Sequence, residues 1–170
     1  IGHDAVVVAF VGRVTRDKGI RELVAAFTQL AGERTDLHLL LVGPQEPDRD
    51  PLPPETRHEI TSNRRIHAVG FTATPERYLA AADLFCLPSY REGFGSVVIE
   101  AGAMRLPSVV TRVTGLVDAV VDEETGVVVP PKDVAALTEA LRRLVTNPDL
   151  RLRVGDASRA RALHSFDADL

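Results

Sequence analysis

The sequence predicts a doubly wound α/β fold, a parallel sheet of about six strands with helices on both faces. Three observations predict it. Apolar runs alternate with amphipathic stretches from one end of the chain to the other, the pattern of βαβ units feeding a parallel sheet. The first apolar run, Val6 to Val11, is continuous rather than alternating, as expected of a strand covered on both faces. The segments that follow the first and fourth runs carry glycine and charge, and ligands of this architecture sit where loops leave the carboxyl ends of the strands.

The first run, Val6 to Val11, reads as a strand. After the loop Gly12 to Lys18, the spacing of Ile20, Leu23, Val24, Phe27 and Leu30 puts their side chains on one helical face. Leu37 to Val42 reads as the second strand, and the proline-rich stretch Gly43 to Pro54 as a surface loop. A short helix over Glu55 to Ser62 leads to a strand at Ile66 to Val69. Thr74 is expected to cap a helix that has Pro75 in its first turn and ends near Ala82. Leu84 to Leu87 is the fourth strand and Pro88 to Gly95 its loop. Val97 to Met104 follows as a compact helix with Ser96 as its expected N-cap. Pro107 opens a strand at Ser108 to Thr111, and Gly126 to Val129 is the last. Asp133 then caps a helix with Val134, Leu137, Leu141 and Leu144 on one side, and Asn147 with Pro148 caps another running toward Leu163.

Composition narrows the function classes. The 170 residues suffice for one α/β domain, and 45% hydrophobic with 26% charged residues is a globular composition. No apolar run reaches the roughly 20 residues that span a bilayer. The formal net charge of -4 argues against a general nucleic-acid binder, which needs clustered excess positive charge. Only two of the 20 basic residues are lysines, Lys18 and Lys132, and Lys132, after Pro130 and Pro131, is expected to face solvent. The single Cys86 forbids an intrachain disulfide, and its apolar setting points to a buried strand residue in a reducing compartment. The chain opens on Ile1, Gly2 and His3 without an initiator methionine, so it reads as a fragment of a longer protein.

The loop after the first strand stands where this architecture places phosphates, because backbone amides and a helix dipole favour an anion there. It has neither a G-x-G-x-x-G fingerprint nor a Walker A pattern, since Asp17 occupies the place of the second Walker glycine. It has side-chain charge instead. Arg13 can offer a planar fork to two phosphate oxygens and Lys18 a compact point charge. The alternative is a solvated turn in which Arg13, Arg16 and Lys18 pair with Asp17 and Glu22. A cation at a helix N-terminus costs about 0.3 to 1 kcal/mol by the dipole argument, which favours a ligand role for Lys18.

The loop after the fourth strand carries more information. Glu92 and Glu100 bracket Gly93, Phe94 and Gly95 and the start of a helix. The glycines remove Cβ atoms where the backbone approaches something, and amides at the helix start can hold phosphate. Glu100 stands among Val97, Val98, Ile99 and Ala101, and a carboxylate in apolar company needs a hydrogen-bonding partner, such as vicinal sugar or ribose hydroxyls. The alternative pairs Glu92 with Arg91 and Glu100 with Arg105 on the surface.

Gly12-Arg13 with Lys18-Gly19, the Glu92 and Glu100 pair, and the Thr125-Gly126 turn before Val127 to Pro130 resemble the second domain of retaining GT-B glycosyltransferases of the family-four, glycosyl-group-1 type. The likeness runs through nearly the whole chain in order, and Tyr90 to Gly95 looks most like bacterial capsule and exopolysaccharide enzymes. The resemblance implies a Rossmann-like domain over residues 1–170 that binds a nucleoside-diphosphate sugar, with a UDP-sugar as the expected donor. An N-terminal acceptor domain would be missing. It implies that Arg13 and Lys18 bind the diphosphate, that Glu100 takes the ribose hydroxyls and Glu92 the sugar hydroxyls, and that Gly93, Phe94, Gly95, Ser96 and Val97 line the sugar and phosphates. The base would lie near Gly70, Phe71 and Thr72. Glu92, Arg13 and Lys18 are the residues expected to act in transfer of a hexosyl or N-acetylhexosaminyl group, with retention, to a saccharide or lipid-linked acceptor.

No metal or other cofactor is expected, since paired acidic or histidine ligands do not appear at a strand end and Arg13, Lys18 and the helix start can carry the leaving-group charge. His3, His38, His58, His67 and His164 are scattered and read as structural or solvated. The implied location is cytoplasmic, extending to the inner face of the plasma membrane through peripheral association of the full-length protein. Three rivals share the architecture. A non-catalytic nucleotide-sugar-binding or regulatory domain has the same fold. A sugar phosphorylase would need a Schiff-base lysine, and a dinucleotide oxidoreductase would need the glycine fingerprint. A glycosidase reading of Glu92 and Glu100 is rejected because both are committed to the donor.

Overall fold

A computed structural model of the chain describes residues 1–2, 4–46 and 48–166. Six strands, β1 (Val6–Val11), β2 (Leu37–Val42), β3 (Ile66–Gly70), β4 (Leu84–Leu87), β5 (Ser108–Thr111) and β6 (Gly126–Val129), form one sheet in the order β3-β2-β1-β4-β5-β6. Every pairing is parallel, with Val8 opposite both Leu39 and Leu84, and Val109 between Cys86 and Val127. The helices are α1 (Ile20–Glu33), α2 (Pro54–Ser62), α3 (Glu76–Leu79), α4 (Ser96–Ala103), α5 (Leu116–Ala119), α6 (Val134–Thr146) and α7 (Pro148–Ser165). They cover both faces of the sheet.

The strands are where the continuous apolar runs put them. Burial explains why: β4, β5 and β6 are buried at every position, and Phe10, Phe27 and Phe85 are completely enclosed. Enclosing each such side chain contributes about 1.5–3 kcal/mol. The predicted face of α1 is the buried one, with Ile20, Leu23, Val24, Phe27 and Leu30 all inside. Helix α1 packs on α6, and α4 on α7. One core runs through all six strands. Cys86 lies in it, and burial pushes its thiol far above the ordinary range.

Three local expectations are corrected. Thr74 does not cap α3: its amide donates to the Thr72 hydroxyl at 3.1 Å, and the helix is only the turn Glu76–Leu79 after Pro75. Ser96 is the first residue of α4 rather than its cap, which is Gly95 in the left-handed conformation at φ 68°. A Cβ on Gly95 would stand 2.8 Å from the Leu116 side chain, so the contact with α5 sets this cap. Helix α5 itself has no counterpart among the predicted elements. Asp133 and Asn147 cap as expected, accepting from the amides of Ala136 and Leu150.

The order of the strands places the site. The chain builds outward from β1 through β2 to β3, then returns to set β4 on the other side of β1. The loops after β1 and β4 therefore part in opposite directions and leave a crevice at the carboxyl edge.

Candidate functional site

The crevice is a cleft of about 460 Å³ between the loop after β1 and the start of α4. It brings together Arg13, Lys18, Glu92, Phe94, Gly95, Ser96, Val97 and Glu100, with Val11, Gly12 and Leu87 at its base. Residues separated by more than seventy positions meet because Gly19 lets the two loops touch. Its φ is 71°, and a Cβ there would stand 2.0 Å from the Pro88 carbonyl oxygen. The Tyr90 amide closes the same contact by donating to the Asp17 carbonyl at 2.9 Å.

Lys18 and Glu92 form the centre of the site. The ammonium donates to Glu92 Oε1 at 2.5 Å, and the Ser89 hydroxyl donates to the same oxygen at 2.8 Å. Both side chains are largely enclosed, at 16% and 15% exposure. Ser89 is completely buried, and its carbonyl accepts from the Thr111 hydroxyl. Glu92 is thus fixed through one oxygen from two sides. Its pairing with Arg91 is not observed.

Arg13 stands at the mouth with its guanidinium 3.1 Å from Glu46 and 3.4 Å from Asp17. The Glu46 hydrogen bond, outweighing partial burial, raises it above its ordinary value, so it is a permanent cation. Burial opposes ionisation of Asp17, but the Thr15 hydroxyl, Arg13 and Lys18 together outweigh it and hold the carboxyl below its ordinary range. The expected turn pairing is therefore realised for one of its three cations. Arg13 does meet Asp17, while Arg16 pairs with Asp50 at 3.3 Å and Lys18 with Glu92.

Glu100 differs from its expected setting. Its own side chain is exposed at the cleft, without a hydrogen-bond partner among the described residues. The apolar company is divided: Val98 and Ala101 are buried, Ile99 is half-buried, and Val97 lines the cleft beside Glu100. Arg105 pairs with Asp156 instead. What remains is a carboxylate open to a ligand, one helical turn from Ser96 and Val97.

Phe94 is exposed and meets Phe166 edge-on with ring centroids 6.0 Å apart. Gly93 does not line the cleft, and a Cβ there would meet nothing within 4 Å. The close approach belongs to Gly115, where a Cβ would stand 2.3 Å from the Gly93 carbonyl oxygen. Phe71, 79% exposed, and Thr72 lie after the edge strand β3 and do not line the cleft. Their loop reaches the same sheet end through Gly43, whose amide donates to the Gly70 carbonyl at 2.9 Å.

Sequence reasoning missed Ser89, Glu46 and Asp50. Ser89 sits three residues before Glu92, a spacing a turn can bridge, whereas Glu46 and Asp50 are brought in by a proline-rich loop with no periodicity to read. His38 and His67 pair with each other on adjacent strands, Nδ1 to Nε2 at 3.1 Å, away from the cleft. His3 lies outside the described residues. No three His, Cys, Asp or Glu side chains converge as a metal-binding group among the described residues. No helix of the described residues is long and apolar enough to cross a membrane.

Comparison with known proteins adds the following. A family model described as "Glycosyl transferases group 1" matches residues 1–161. The capsular polysaccharide biosynthesis glycosyltransferase CapM of Staphylococcus aureus is 32% identical over 168 residues, 99% of this chain and 44% of that protein. The sucrose-phosphate synthase structure from Thermosynechococcus elongatus superposes with a TM-score of 0.86 at 36% identity, covering 99% of this chain and 43% of that one. The Anabaena HepE structure in complex with UDP-glucose gives 0.85 at 25% identity, covering 96% and 45%. The chain spans less than half the length of each of these proteins.

Proposed function

Because the chain belongs to the glycosyl transferases group 1 family, with the GT-B fold, we propose that its cleft binds the nucleoside-diphosphate sugar of a retaining transferase. The observation that carries this reading is the meeting of two cations, Arg13 and Lys18, with the start of α4 and an unpartnered Glu100 in one cleft at the switch point of the sheet. UDP-glucose on HepE supports a UDP-sugar as the donor, and CapM supports polysaccharide synthesis as the setting.

The residues divide the donor between them. Arg13 offers its fork at the mouth, where Glu46 and Asp17 hold it in place. The amides of Ser96 and Val97 open α4 toward the same space, and the helix end adds a partial positive charge of about half a unit. Glu100 accepts from the ribose hydroxyls. Glu92 has one oxygen held by Lys18 and Ser89, which leaves the other free to accept from a sugar hydroxyl. Phe71 and Thr72 are proposed to flank the base from the neighbouring loop.

Transfer breaks the bond between the anomeric carbon and the diphosphate oxygen. The electron pair stays on the diphosphate, and positive charge spreads over an oxocarbenium-like sugar. Arg13, Lys18 and the α4 amides stand where that negative charge grows, so they stabilise the transition state more than the bound donor. We assign this role to them without a metal ion. The full-length protein is accordingly expected to keep its activity in EDTA, and loss restored by Mg²⁺ would contradict the assignment. The remaining half of the cleft and most of the contacts to the saccharide or lipid-linked acceptor belong, on this reading, to an N-terminal domain of a cytoplasmic enzyme.

Calorimetry with UDP tests the proposal. The chain is expected to bind, and Arg13→Ala and Glu100→Ala are each expected to weaken binding about tenfold, the loss of one charge-assisted contact. Equal affinity in the parent and both variants would refute it.

A further inference from the structure

Loops after β1, β2, β4 and β6 enclose a second, larger concavity of about 920 Å³, with Arg13 as the wall shared with the cleft. Its lining carries six cations, Arg13, Arg16, Arg21, Arg49, Arg91 and Lys132, against three carboxylates, Asp17, Glu22 and Asp50. Each carboxylate is already engaged. Asp17 accepts from the Thr15 hydroxyl at 2.5 Å, Asp50 from the Asp17 amide at 2.6 Å, and Glu22, 3% exposed, from the Tyr90 hydroxyl at 2.7 Å. Arg49, Arg91 and Lys132 are exposed and have no carboxylate partner among the described residues. Lys132 is held rather than loose. Its backbone adopts the left-handed conformation at φ 63°, unusual for lysine, and its ammonium stands 4.8 Å from the centroid of the Tyr90 ring.

A chain of net charge -4 thus gathers three surplus positive charges in one concavity. A single carboxylate would satisfy one guanidinium fork. Three cations lining one concavity, unpaired among the described residues, match the charge of a phosphate or diphosphate group, for which guanidinium forks and an ammonium are suitable donors. We propose that this groove is a second anion site, which takes the phosphate or diphosphate ester of the acceptor and seats it beside the donor. That the ester belongs to the acceptor rests on the transferase reading above; the anion site itself does not.

Inorganic pyrophosphate, titrated into the chain with and without UDP while backbone amides are followed by NMR, tests the groove. Because the donor cleft itself takes a diphosphate, the reading is made with that cleft saturated by UDP: pyrophosphate is then expected to shift Arg49, Arg91 and Lys132 and to leave Ser96 and Val97 unmoved. The triple variant R49A/R91A/K132A is expected to bind UDP as the parent does and, once loaded with UDP, to bind pyrophosphate about tenfold or more weakly. Arg91→Glu, a single exposed change, is expected to weaken pyrophosphate in the same direction and stands in if the triple variant does not fold. No shift at Arg49, Arg91 and Lys132 with UDP bound, or pyrophosphate binding to the UDP-loaded variants as tight as to the UDP-loaded parent, overturns the proposal. If UDP fails to bind, pyrophosphate alone still reads the groove, so the two failures are distinct. Phosphatidylcholine vesicles with and without phosphatidylglycerol separate the sources of the ester. Binding that requires phosphatidylglycerol and is lost in the triple variant assigns it to a lipid headgroup; pyrophosphate binding without vesicle binding assigns it to a soluble phosphate ester.

Discussion

Ser89 shows how much of the cleft is held by a residue that does not line it. Its hydroxyl and Lys18 share one oxygen of Glu92, and removing the hydroxyl frees the carboxylate to turn. Ser89→Ala is therefore expected to weaken UDP-glucose more than UDP, about threefold to tenfold against no change, in paired calorimetric titrations. Equal losses for both ligands would remove Glu92 from sugar recognition. Away from the cleft, His38 and His67 make a prediction of opposite character. Burial, then the neighbouring imidazole, lowers His38, and burial lowers His67, so the fold keeps both neutral where the unfolded chain takes up protons. Their contribution to stability is intact above the ordinary value of 6.5 and is lost as pH falls below it. Urea unfolding as a function of pH should show this slope, and His38→Gln should flatten it. Among single residues, Arg13, Lys18 and Glu92 were legible because charge in a glycine-flanked loop has few structural uses. Glu100 was singled out as a carboxylate in apolar company, but only Val98 and Ala101 of that company are buried, and Glu100 itself is exposed.

At the scale of elements, β1 and β4 were readable because a strand covered on both faces leaves an uninterrupted apolar run, whereas β2 and the half-exposed edge strand β3 carry His38 and His67 within theirs. Helix ends were less so. Ser96 has the chemistry of an N-cap, but the contact between Gly95 and Leu116 decides the conformation, and Leu116 belongs to α5, a single turn too short to show periodicity. Gly19 carries the corresponding prediction. Gly19→Ala meets both a left-handed backbone and the Pro88 carbonyl, so the start of α1 must move away from the loop after β4. The expected cost is about 1–3 kcal/mol, seen as a lower urea midpoint, together with weakened UDP binding as Lys18 parts from Glu92. An unchanged midpoint would mean that the two loops are not locked together at this point.

At the scale of the whole molecule, the sequence indicated a parallel sheet but not which strands are neighbours. That β4 lies against β1 is set by the packing of all the elements together, and it is this adjacency that turns two loops into one cleft. The same assembly placed the arginine-rich groove next to it, from four loops of which only two had drawn notice in the sequence. The central claim is that the crevice at the switch point holds the donor's nucleoside diphosphate. Titration of UDP into the ¹⁵N-labelled chain tests it most directly. The amides of Gly12, Arg13, Gly95, Ser96 and Val97 should shift together and saturate, and Glu100→Ala should suppress the response. Shifts confined to other loops, or none at millimolar UDP, would contradict it.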